Sequence, residues 1–445
     1  MSWQTPSLDI DPLLDDRTTR IIVCCGSGGV GKTTTAAALG LRAAERGRTV
    51  VVLTIDPARR LAQSMGLTEL DNTPRRVAGI DESAGGQLHA MMLDMKRTFD
   101  DIVVQHADPE RAQAILENPF YQSLSAGFAG TQEYMAMEKL GQLRARDEWD
   151  LIIVDTPPSR SALDFLDAPK RLGSFLDGRF IKLLMAPAKA GGRAGMKFLN
   201  VGLSMMTGAL DKVVGAHLLR DVQTFVAAMD TMFGGFRKRA DATYRLLQAP
   251  GTAFLVVAAP ERDALREASY FVERLAAESM PLAGLVLNRV HVSGAARLTA
   301  ERALAAAEAL EDLAAEWPGA GDPAPSAASD TEVGDPVDCP AVENLTDDRI
   351  ADRDTGKAEG KTFTDEVSLT EPDGLPAESL AAGLLRLHAE RMQVVARESR
   401  TRDRFASVHP DVAVAEVAAL PGDVHDLEGL RAVGERLAKG QPAAA

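Results

Sequence analysis

The chain has 445 residues, 45% hydrophobic and 25% charged, the balance of a soluble globular protein with one large domain or two ordinary ones. Its net charge is −15, but residues 316–376 hold 16 acidic and 4 basic side chains, a local −12 that leaves only −3 for the rest. A near-neutral body of this kind excludes nucleic acid as the expected partner. The three cysteines, Cys24, Cys25 and Cys339, form no CxxC pair and no disulfide framework, which indicates a reducing compartment and no zinc site.

In chain order, residues 1–19 are polar and acidic, without the basic start and apolar run of a signal peptide, and are expected to be an N-terminal tail. The longest apolar stretch, residues 198–214, contains Asp211 and is no membrane span, so a cytoplasmic protein is expected. Strands are predicted over residues 21–25, 50–55, 88–93, 151–154, 253–258, 282–287 and 412–417. Most are continuous apolar runs, as in parallel strands covered on both faces, and Cys24 and Cys25 fall inside the first as small buried hydrophobes. A helix over residues 32–46 ends at Gly47, a suitable left-handed cap. The strand–helix alternation implies an α/β fold with a doubly wound, mostly parallel sheet. Residues 95–147 and 160–250 break the rhythm as a helical subdomain. Residues 317–376, rich in Pro, Gly, Ala, Ser and Asp, are expected to be a disordered insert between helical flanks at 295–316 and 377–400. The folded domain then comprises residues 20–316 and 377–438, with 439–445 as a C-terminal tail.

The chemistry begins at Gly26, Ser27, Gly28, Gly29, Val30, Gly31, Lys32 and Thr33, which satisfy GxxxxGK[ST] between a strand and a helix, with Thr34 next in line. The glycines let successive backbone N–H groups turn inward onto phosphates, Lys32 reaches the outer phosphates, and Thr33 ligates Mg²⁺. ATP with Mg²⁺ is the implied ligand. Asp155 ends a neighbouring apolar strand, where a carboxylate can hold the water shell of the metal; before Thr156 and Pro157 it also suits a helix N-cap. Asp56 follows another strand, and because Asp before Pro57 opens a helix equally well, the residues alone leave its role open.

The segments GSGGVGKTT, TIDPARRLAQSMG, DTPPSRSALDFLDAP, VLNRV and ALPGDVHDLEGL together resemble the arsenical pump-driving ATPase (ArsA) family, which includes the guided-entry targeting ATPase for tail-anchored membrane proteins. Their order is kept over residues 20–317 and 377–437. The resemblance implies a P-loop ATPase in which Asp56 orients or deprotonates the attacking water. It further implies that Asp155 and Thr156 begin the second switch, Asn288 meets the adenine edge, and Pro421 belongs to a loop over the base. It also implies a nucleotide-gated dimer acting on an apolar protein client or a membrane partner, cytoplasmic and in the latter case peripheral.

Three departures modify that expectation. Ser27 stands where the family usually carries a second lysine that reaches the partner's nucleotide, so a heterodimer with a homologous ATPase subunit is favoured over a homodimer. Ser159, Arg160 and Ser161 replace the usual Gly-His relay of the second switch. The cysteines that bind arsenite or zinc in the family have no counterparts, which argues against an arsenite-efflux motor. A catalytically weak regulatory subunit is the other alternative. Residues 183–219, rich in Met, Leu and small residues, are the candidate client segment, with core or dimer packing the plainer reading.

Overall fold

The structure is a computed structural model and describes residues 6–55, 60–119, 121–122, 131–157, 235, 238–316 and 377–439. Two compact units emerge, Met1–Arg297 with Arg391–Ala445, and Leu298–Glu390.

The larger unit is built on a sheet of eight strands: β1 (Ile21–Cys25), β2 (Thr49–Thr54), β3 (Arg75–Arg76), β4 (Gln87–Met92), β5 (Leu151–Asp155), β6 (Thr252–Ala258), β7 (Leu282–Val290) and β8 (Val414–Ala418). Their order is β3-β4-β2-β5-β1-β6-β7-β8, and only the β3–β4 pair is antiparallel. β1 and β5 are buried along their whole lengths, which explains why they are apolar without alternation. The side chains still alternate between the two faces. Ile21, Val23 and Cys25 join one core, while Ile22 and Cys24 join the other.

On the face of Ile22 lie α1 (Ile10–Asp15), α2 (Lys32–Glu45) and, near the C-terminus, the helix Leu427–Lys439. Runs of buried alanine and leucine in α2 bring that helix close to the sheet, and Gly47 ends it at φ 88° as expected for a left-handed cap. Truncating fully buried Leu39 or Leu41 to alanine would cost about 2–5 kcal/mol. A short α3 (Arg60–Ser64) follows β2. The opposite face carries α4 (Met95–His106), α5 (Pro109–Leu116), α6 (Thr131–Arg146) and α7 (Arg262–Ala277), with Phe99, Ile102, Ile115, Tyr134 and Phe271 in the core. Asp94 and Asp108 cap α4 and α5 through hydrogen bonds from the amides of Arg97 and Arg111. A further helical stretch runs over 238–248.

The smaller unit contains α8 (Ala300–Glu316) and the first part of α9 (Ala377–Val408). Ala303, Ala307, Ala382 and Ala389 are buried, and Arg386 grips Glu311 with two hydrogen bonds of 2.9 and 2.6 Å. The helix Leu427–Lys439 is α10.

All seven predicted strands are present, displaced by no more than a few residues. The last begins at Val414 because the amide of Val412 closes a turn onto the carbonyl of His409, past the end of an α9 that outruns residue 400. The N-terminal segment differs from the tail its polarity suggested. Leu8 donates its amide to the Val414 carbonyl at 3.0 Å, Val414 donates to the Pro6 carbonyl at 2.8 Å, and Ile10 and Leu14 are fully buried. Arg42 then holds Asp11 with bonds of 2.6 and 2.7 Å, fastening α1 to α2. The proposed insert at 317–376, Cys339, and most of the second helical block, residues 158–234 with Ser159–Ser161 and the 183–219 segment, lie outside the described residues. No helix among the described residues is long and apolar enough to cross a membrane.

Candidate functional site

The site forms where β1, at the centre of the sheet, runs into α2. Ligands of open α/β sheets bind beyond the carboxyl ends of the strands, and this loop leaves from that edge. Gly26 is forced by a close approach: a Cβ there would sit 2.1 Å from the Val257 carbonyl oxygen. Gly31, the N-cap of α2, has φ 94°, and a Cβ on it would meet the Asn288 side-chain nitrogen at 2.3 Å. No side chain caps α2 and no acidic residue lies in its first turn, so its amides and partial positive charge stay open to an anion.

Lys32 is 6% exposed and donates from Nζ to the Ser27 carbonyl at 2.8 Å, tying the first helical residue back across the loop. Ser27, between Gly26 and the exposed Gly28, is partly exposed. Asp155, fully buried at the end of β5, accepts from Thr33 Oγ1 at 2.7 Å and from Thr54 Oγ1 at 2.9 Å, both at Oδ2. Thr54 ends β2, so three neighbouring elements converge on one carboxylate. Thr156 turns away: its hydroxyl donates to the Cys24 carbonyl at 2.9 Å and fixes the exit of β5. Hydroxyl and carboxylate oxygens are hard donors suited to Mg²⁺, so Thr33 and Asp155 fit the metal the motif calls for.

A cleft of about 910 Å³ opens from this loop. Gly29, Gly31, Thr33 and Thr34 form one wall, Gln63 and Ser64 another, and Asn288, Arg289 and His291 with residues 417–425 the third, including Pro421. The structure therefore brings together most residues singled out in the sequence; Asp56 lies outside the described residues. Asn288 is engaged with the loop itself, donating from Nδ2 to the Val30 carbonyl at 2.9 Å. Its neighbour Arg289 has φ 62° at a register shift between β7 and β8, a strained backbone for a bulky residue, and its side chain lines the cleft. His291 sits beside it with Nδ1 2.6 Å from Glu398 Oε1.

Thr54, Gln63, Arg289 and His291 were not singled out from sequence. For Thr54 the only signal was its place at a strand end, immediately before the segment containing Asp56. The buried positions of Cys24 and Cys25 match expectation, and burial pushes both thiols up, Cys25 to about 12. Thiolates are scarce under such conditions, so neither is suited to capture a metalloid.

A phosphate-binding loop at the central strand, bonded through Thr33 to a carboxylate on the adjacent strand and opening onto a cleft of nucleotide size, places the chain among the P-loop nucleotide hydrolases. Comparison with known proteins narrows the class. Residues 19–302 match the model of the anion-transporting ATPase family (ArsA), and the chain belongs to that family and is an ATPase. ATPase GET3 of Podospora anserina is 27% identical over 283 residues, 63% of this chain and 76% of that protein. ATPase GET3 of Phaeosphaeria nodorum is 29% identical over 231 residues, 49% of this chain and 69% of that protein. The ATPase ASNA1 homolog of Cryptosporidium parvum is 26% identical over 287 residues, 63% of this chain and 69% of that protein.

Proposed function

We propose that this ATPase works on MgATP as half of a nucleotide-gated dimer, paired with a related chain and coupled to a protein or membrane partner. The observation that carries the proposal is Ser27. It stands where the resemblance places the family's cross-dimer lysine, and its short uncharged side chain offers no cation to a neighbouring site. A positive group supplied in trans to a transferring phosphoryl group is worth roughly 10³-fold or more in rate. A homodimer would lack that group at both sites. A partner chain that retains the lysine would complete the site built here, leaving the partner's own site the weaker one.

In this reading Gly26 to Thr34 hold the phosphates, Thr33 and Asp155 hold Mg²⁺, and Asp56 positions the attacking water. Asn288 and Pro421 flank the base, a role supported by their shared place on the cleft wall. Residues 183–219 are the proposed client-binding segment, in keeping with the relation to proteins named GET3 and with targeting of apolar membrane-protein segments. The protein would act in the cytoplasm, docking peripherally where its partner is membrane-bound. The buried Cys24 and Cys25 weigh against arsenite efflux.

Turnover tests the proposal directly, measured for the isolated chain, for Ser27→Lys and for a mixture with a lysine-bearing paralogue. Slow hydrolysis by the chain alone and a large gain in either of the other arms is the expected result. Fast hydrolysis by the isolated chain, unchanged in both arms, would overturn the heterodimer. Asp56→Asn should cut turnover about 10²-fold while ATP affinity stays within a few-fold; an equal loss of both would return Asp56 to the role of a helix cap.

A further inference from the structure

A second, smaller cavity of about 110 Å³ shares no residue with the nucleotide cleft. It lies between α4, α6 and the loop before β3, and among its lining residues are Asn72, Thr73, Arg97, Asp101, Lys139 and Arg146. Helical geometry creates the cluster. Lys139, Gln142, Leu143 and Arg146 follow the i, i+3, i+4, i+7 spacing of one face of α6, while Arg97 and Asp101 are one turn apart on α4.

Lys139 is 6% exposed. Its ammonium makes no ion pair or hydrogen bond among the described residues, and the guanidinium groups of Arg97 and Arg146 make no ion pair there either. Asp101 is the single carboxylate of the lining among the described residues, and Asn72 Nδ2 approaches it at 3.5 Å. The nearby Asp71 is already engaged by Arg75 at 2.8 Å. Three cations against one carboxylate leave a surplus of two positive charges around a space that admits a five-atom oxyanion and excludes a nucleoside. An ammonium largely withdrawn from water is costly when two neighbouring cations outweigh the one carboxylate beside it.

We propose that this cavity is a binding site for a compact phosphoryl dianion, with inorganic phosphate the simplest occupant, held by Lys139 at the floor and Arg97 and Arg146 at the mouth. The charge balances, and the planar guanidinium groups suit phosphate oxygens. Burial already pushes the Lys139 ammonium below its usual pKa, opposed by Asp101 and Asp71 and reinforced by Arg146 and Arg97, and a bound dianion would reverse that direction. The occupant also links two helices whose strands lie on the same side of β1 and flank β2, α4 following β4 and α6 leading into β5 and Asp155.

The test is isothermal titration of the nucleotide-free full chain with phosphate, at slightly alkaline pH and constant ionic strength, with O-phosphoserine as a second arm. Wild type and Lys32→Ala should both bind one equivalent at this cavity, the latter showing that the signal does not come from the P-loop. Lys139→Met should abolish it, and Arg146→Gln, an exposed substitution that spares folding, should weaken it about tenfold or more. Binding of phosphate alone identifies a free ion; binding of both ligands identifies a phosphorylated partner as a further source, and either supports the site. Phosphate binding that vanishes in Lys32→Ala and is indifferent to Arg146→Gln would overturn it, as would no binding to wild type.

Discussion

Thr33 and Asp155 are 122 residues apart in sequence, yet the threonine hydroxyl donates to the aspartate carboxylate across 2.7 Å. The contact joins the start of α2 to the end of β5 and places both proposed metal ligands on one side of the phosphate loop.

Removing one of these ligands should separate metal use from nucleotide binding. Thr33→Ala is expected to raise the Mg²⁺ concentration for half-maximal turnover several-fold, with nucleotide affinity in the absence of metal little changed. Thr54→Val, which removes the 2.9 Å bond that orients the same carboxylate, should show a smaller shift in the same direction. A magnesium titration of turnover for the three proteins is the check, and identical curves would remove Thr33 from the metal site.

Gly31 offers a geometric test. With φ 94° and the Asn288 nitrogen 2.3 Å from where a Cβ would be, Gly31→Ala meets both backbone strain and a steric overlap. A stability loss of about 1–3 kcal/mol is expected, together with much weaker nucleotide binding. Adding Asn288→Ala should recover part of the stability by removing the overlap, while the strained φ keeps binding weak. Chemical denaturation of the single and double variants measures both effects.

How far the sequence carried can be traced residue by residue. The strands were legible because burial on both faces makes them unbroken apolar runs, and the phosphate loop because its spacing is set by backbone geometry. Asp155 was recognisable from its place at a strand end. Helix α1 was not, since it spans only six residues and contributes two buried side chains, Ile10 and Leu14, within an acidic segment. The two contacts of Thr54 and Asn288 with the site depend on pairings across distant strands, which local patterns do not encode. Lys139 looked like any lysine of a charged helix; its burial becomes apparent only once α4 lies beside α6.

The N-terminal helix carries a pH signature. The hydrogen bonds from Arg42 hold the Asp11 carboxyl below its ordinary value, against the opposing effect of partial burial. Because the folded-state pKa is depressed, this stabilisation is fully present above the ordinary carboxylate pKa. It is lost as pH falls through that value toward the depressed one. Asp11→Asn should therefore lower stability by about 1 kcal/mol near neutrality, and the difference should shrink on acidification through the carboxylate range. Melting curves of the two proteins at neutral and acidic pH test this; a constant gap would show that the pair contributes no charge-dependent stability.

If Gly26 to Thr34 cradle the phosphates of ATP, Lys32 is the side chain on which binding depends most. The side chain is buried within the loop, where its loss leaves several phosphate charges facing no cation. Equilibrium ATP binding and turnover of Lys32→Ala, measured beside wild type with matched melting temperatures, is the most direct measurement. Detectable binding and hydrolysis should be lost while the fold is retained. Wild-type affinity and turnover in Lys32→Ala would contradict that role of the loop.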